Sequence, residues 1–135
     1  MKKFLCLTLL FALPLALTPW TGRADDKPDA KAKLMQRKLA ESQKVLEGLA
    51  LNDFEKIAKH AEELIEISKL AGWRVVKTPR YELYSNDFRR TAEDLVQKAK
   101  DRNLDGAALS YVELTLTCVK CHKHVREERM VRLDP

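Results

Sequence analysis

Cysteine is scarce in this chain of 135 residues, which has three. One of them, Cys6, lies in an N-terminal stretch that reads as a removable leader. MKKFLCLTLLFALPLALTPWTGRADD has Lys2 and Lys3, an apolar run from Phe4 to about Leu17, and small residues near Ala24. That three-part order is the pattern of a secretory signal peptide over residues 1–24 and implies export to the periplasm. A retained membrane anchor is the lesser reading, because Pro14 and Pro19 interrupt an apolar run already shorter than the ~20 residues a spanning helix needs. Cys6 comes too early in the run to be a lipid-attachment site. Cleavage after Ala24 leaves residues 25–135, one domain of 111 residues whose only thiols are Cys118 and Cys121. One close cysteine pair excludes a disulfide framework.

Other absences narrow the chain further. It has no block of like charge: lysines alternate with acids along helical stretches, which excludes nucleic acid as a partner. Loss of Lys2, Lys3 and Arg23 takes 25 basic residues to 22 against 20 acidic, so the mature charge is +2 rather than +5. It has no internal repeat, no low-complexity segment, and no strand pattern that survives its context. VELTLTCV at 112–119 alternates weakly but continues a helical face on both sides.

What remains is helical periodicity. From 30 to 50, Met35, Leu39, Leu46 and Leu49 recur at steps of three and four, with Ser42 in register, as on one face of an amphipathic helix. Asn52 or Asp53 can cap a second helix whose apolar positions are Phe54, Ile57, Ala61, Leu64, Ile65 and Leu70. The period lapses over 72–85, a join of about fourteen residues carrying Pro79 and the aromatic residues Trp73, Tyr81 and Tyr84. A third helix starts after Ser85 or Asn86, with Phe88, Ala92, Leu95, Val96 and Ala99 inward. Asp105 caps a fourth, whose inner face reads Ala108, Tyr111, Leu114, Thr115, Cys118, His122 and Val125. The expected fold class is all-α, an antiparallel up-down-up-down four-helix bundle.

The chemistry concentrates in TCVKCHKHVRE at 117–127. A thioredoxin-like redox pair needs a strand before the motif and a βαβ context, and neither is present. A zinc site needs four donors, and Cys118, Cys121 and His122 supply three crowded on one side of a helix. C-x-x-C-H is the attachment signature of c-type haem, in which both thiols add to vinyl groups and the following histidine binds the iron. One covalent haem c with its iron is therefore the expected cofactor, and His122 its axial ligand. In an up-down-up-down bundle the start of the first helix lies at the same end as the finish of the fourth, which brings Met35 towards His122. Two readings of Met35 stand, an iron ligand and a core methionine. His124 lies about 200° round the helix from His122 and turns away from the iron, and His60 reads as a solvated surface residue.

With these residues in view, the chain resembles the class II c-type cytochromes, the cytochrome c-prime and cytochrome c-556 group. Cys118, Cys121 and His122 followed by Arg126 are similar to the family ending C-x-x-C-H-x-x-aromatic-Arg, and Leu34-Met35-Gln36 to its Leu-Met step on the first helix. Val125 stands where the family has Tyr or Phe. Lys31 occupies the position four before the methionine, where an arginine often pairs with a haem propionate. The resemblance implies a haem site of Cys118, Cys121, His122, Met35, Lys31 and Arg126, with Met35 on the iron in the c-556 type and the sixth position open in the c-prime type.

The function expected is a periplasmic monohaem cytochrome that carries one electron at a time between transient redox partner proteins. The alternative is a five-coordinate protein binding NO or CO, and a second rival is a haem subunit of a larger complex. No acid, base or nucleophile constellation suggests an enzyme; Glu62, Glu63 and Glu66 read as a wet helix face. Monomer and homodimer both fit.

Overall fold

The computed structural model describes residues 30–70 and 73–131, and the leader expected at 1–24 lies outside them. The described residues form four helices and no strand: α1 (Ala30–Ala50), α2 (Phe54–Lys69), α3 (Pro79–Lys100) and α4 (Leu104–Val131). Among them no helix is long and apolar enough to cross a membrane.

Local chemistry explains the boundaries. Asp53, in extended conformation, caps α2 by accepting from the Lys56 amide at 3.0 Å, with Glu55 in the first turn and Lys69 in the last, as the helix dipole favours. The α1–α2 and α3–α4 turns are built alike. Asn52 (φ 56°) and Arg102 (φ 53°) occupy the left-handed region. The next amides, Asp53 and Asn103, reach back five residues to the carbonyls of Gly48 and Lys98 at 2.8 and 2.9 Å. This six-to-one closure is a Schellman ending, and it holds each join to three residues.

The join before α3 is shorter than its lapse in periodicity implies. Thr78 caps α3 by accepting from the Tyr81 amide at 3.2 Å, and Pro79 opens the helix. Proline at the first helical position forfeits no hydrogen bond, so Pro79 starts the helix that its presence in the sequence appeared to delay. Ser85, expected as a cap, instead lies buried inside α3 and accepts the Trp73 indole N–H at 3.0 Å. The Tyr81 hydroxyl donates to the Trp73 carbonyl, which ties the join over one end of the core.

α1 packs on α2, α2 on α3 and α3 on α4 over broad faces, whereas α1 meets α4 over a much smaller one. The core is centred on α2 and α3, where Ile57, Leu64, Ile67, Phe88 and Leu95 are at most 2% exposed. Each such side chain contributes about 1.5–3 kcal/mol through burial.

Two helical faces differ from expectation. α1 buries Lys38, Glu41, Val45 and Gly48, while Leu39 and Leu46 stay exposed. α4 buries Ala107, Ser110, Leu114, Thr117 and His124, while Ala108, Thr115 and His122 are exposed. α4 carries apolar groups on nearly every side, so periodicity alone does not select the face that meets α3.

Candidate functional site

The weak contact between α1 and α4 leaves a groove of about 600 Å³. That volume lies within the roughly 300–1,000 Å³ usual for ligand sites. α1 contributes Met35, Lys38, Leu39 and Ser42 to it; α4 contributes Tyr111, Thr115, Cys118, Val119, His122 and Arg126. Ser42 Oγ and Tyr111 Oη meet across it at 3.3 Å.

Four of the six residues expected at the site, Met35, Cys118, His122 and Arg126, line this groove, and Cys121 is not among the lining residues. Cys118 and Cys121 are free, half-buried thiols packed on the edge of the core. Their i, i+3 spacing presents both from one side of α4. Met35, half-buried, faces Cys118 and His122 from α1, and Arg126 closes the α4 side one turn beyond His122. Lys31, exposed in the first turn of α1, is not among the lining residues.

The electrostatics suit a metal-binding imidazole. Desolvation of the His122 ring, followed by the cations of Lys38 and Arg126, pushes it below its ordinary value. The neutral form, with a free nitrogen lone pair, therefore dominates at neutral pH. Burial raises the Cys121 thiol, an effect opposed by Lys38 and reinforced by Cys118, so it is held protonated.

The other histidines are engaged elsewhere. His124 is 5% exposed, shares a 2.8 Å hydrogen bond with Thr78 Oγ1 and meets Tyr84 edge-on at 6.1 Å. It turns away from the groove as its place on the helix requires, but into the bundle and not into water. His60 is likewise covered: its Nδ1 lies 2.6 Å from Glu41 Oε2, and its side chain is 12% exposed. The Glu41 partnership draws it inward from the polar face on which it was expected.

Lys38 is the residue that sequence reasoning missed. It is 8% exposed, with Nζ 4.4 Å from the Trp73 ring centroid and 4.1 Å from that of Phe88. Two ring faces stabilise an ammonium there in place of water. Desolvation lowers its proton affinity, and the nearby Cys118 and Cys121 partly restore it. The available signal was register: position 38 lies one turn after Met35 and one before Ser42, on the seam that faces α4.

The donor set fits covalent haem. Paired thiols, an adjacent neutral imidazole, an opposing thioether and apolar walls match what a c-type haem demands of its protein. Among the described residues no group of three or more His, Cys, Asp or Glu converges as a metal cage. Comparison with protein-family models, curated proteins and solved structures finds no match.

Proposed function

We propose that the chain is a periplasmic monohaem c-type cytochrome of the class II kind, a carrier of single electrons between transient redox partners. The observation that carries the reading is the placement of Cys118, Cys121 and His122 on a helix whose open side faces Met35 across an apolar groove. An up-down-up-down course is part of the proposal. It is supported by cross-helix pairs whose numbers run in opposite senses, Arg37 with Glu63 and Lys56 with Glu47 between α1 and α2, and Asp94 with Ser110 and Tyr84 with His124 between α3 and α4.

Bound haem supplies the one-electron chemistry; the chain supplies position and environment. Cys118 and Cys121 would hold the group through two thioethers, and His122 would offer its neutral imidazole nitrogen to the metal. Met35 would offer a soft sulfur from the facing helix, which would favour the reduced state and raise the potential. Leu39 and Val119 give the groove apolar edges. Arg126 is placed to meet an anionic substituent, and Lys31, one turn before Met35, to meet another from outside.

Intact mass of the exported protein tests the cofactor: a haem-sized increment is expected, and its absence overturns the reading. Absorption spectra of the reduced protein test the electron-carrier role. A low-spin spectrum unchanged by carbon monoxide is expected, and Met35→Ala should open the sixth position to it. Carbon monoxide uptake by the wild type would instead establish the gas-binding alternative.

A further inference from the structure

The groove holds a second α1 side chain able to bind a metal, and its surroundings are harder to explain than those of Met35. Lys38 is nearly fully buried, and among the described residues no carboxylate pairs with it. Its amine rests on Trp73 and Phe88, beside the thiols of Cys118 and Cys121. A buried cation without a counter-charge is costly and persists where another role compensates.

Covalent attachment of haem would deepen the mismatch. Each cysteine would become a thioether, which cannot ionise and accepts hydrogen bonds poorly, so Lys38 would lose the polar groups closest to it. The propionates cannot replace them, because on the haem ring they lie at the edge opposite the vinyl groups that the cysteines engage. The centre of the ring lies between those edges, and there the metal can accept a nitrogen lone pair.

We infer that Lys38 binds the iron opposite His122 in the oxidised protein, displacing Met35, which holds that position in the reduced protein. This rests on the haem reading above. The exchange balances simply: the Lys38 ammonium gives one proton to solvent, its nitrogen forms a bond to ferric iron, and the bond from the Met35 sulfur breaks. A hard amine prefers ferric iron and a soft thioether ferrous iron, so each oxidation state selects its own donor. Met35 and Lys38 lie three apart on α1, on one side of the helix, so the exchange needs side-chain rotation and no helix movement.

The test uses the full-length haem-loaded protein, with electron paramagnetic resonance and the near-infrared charge-transfer band read in the ferric state. The wild type should give the signature of two nitrogen axial donors. Lys38→Met should lose it completely, and Met35→Leu should keep it. Lys38→Arg, which preserves length and charge but is a poor ligand, should also lose it while keeping the helical circular dichroism of the wild type. A thioether or five-coordinate signature in the ferric wild type, or a Lys38→Arg spectrum identical to it, overturns the inference. Absence of a haem-sized mass increment overturns the haem reading itself, so the two failures are distinguishable.

Discussion

Leu114 and Leu116 stand two residues apart on α4, yet Leu114 is 1% exposed and Leu116 is 52% exposed. Leu114 belongs to the side where α4 meets α3, closed by the cluster around Phe88, Leu95 and Ala107. Leu116 belongs to a stripe with Leu109, Val112 and Val119 that no other helix covers. Leu39 and Leu46 on α1 are exposed in the same way. Protein thus seals itself on one side of the molecule, while on the other a groove separates two helices that carry apolar groups. A bundle that closes three seams and leaves the fourth open has the shape of a container, and Met35, Lys38, Cys118 and His122 sit at the open seam.

The widest separation between these regions should appear in core truncation. Leu114→Ala removes a fully packed side chain and should cost about 2–5 kcal/mol. Chemical denaturation would measure it; a loss below about 1 kcal/mol would mean the closed seam is packed no better than the open one.

A buried charge network stiffens α1 against α2. Glu41, 8% exposed, accepts from Lys44 at 2.9 Å and meets His60 Nδ1 at 2.6 Å. Burial alone would raise its carboxyl, but the bonds from Lys44 and His60 outweigh burial and hold it below the ordinary 4.5. A carboxyl depressed on folding adds stability at pH values above its unfolded range and loses it as pH falls through the folded one. Glu41→Gln should therefore cost about 1–3 kcal/mol at pH 7. The gap from wild type should shrink below about pH 4.5, which denaturation midpoints across an acid series would register.

Gly48 sets how closely α1 and α2 approach. A Cβ there would fall 2.9 Å from Ile57 Cγ1, 3.1 Å from Ile57 N and 3.3 Å from Asp53 O. The Ile57 side chain can give way, but the backbone nitrogen cannot move without shifting the start of α2. Gly48→Ala should gain roughly 1 kcal/mol in helix propensity and lose more to the forced separation, for a net cost of about 1–2 kcal/mol. A thermal midpoint above wild type would contradict this.

Much of the closed side could be read from the residues. Ile57, Ala61, Leu64, Phe88, Ala92 and Leu95 follow the helical period and are buried where it places them. Cys118, Cys121 and His122 were legible as a motif because their spacing is itself the chemistry. The open side misled in a specific way. Met35, Leu39 and Leu46 form a regular apolar face, but part of that face borders a groove, and the true packing seam includes Lys38 and Glu41. Periodicity reports where apolar groups lie on a helix and not what covers them. Lys38 and His124 escaped because polarity argues for exposure, and only tertiary structure reveals the Trp73 and Phe88 rings beneath the one and the Thr78 hydroxyl beside the other. Pro79 misled because the same residue that breaks a helix interior opens a helix at its first position.

The smallest effect bears most directly on the open flank. Leu109 and Leu116 are 72% and 52% exposed. Shortening a side chain that water already surrounds removes little buried area and leaves no cavity. Leu109→Ser and Leu116→Ser should each change stability by no more than about 0.5 kcal/mol, against the several kcal/mol expected for Leu114→Ala on the same helix. The contrast controls for helix position and residue type, leaving burial as the variable. A loss near 2 kcal/mol at Leu116 would place a protein surface over the stripe in solution, and repeating the denaturation at tenfold dilution would identify its source. Stability that falls on dilution would assign the cover to a second copy of the chain, because only association depends on concentration.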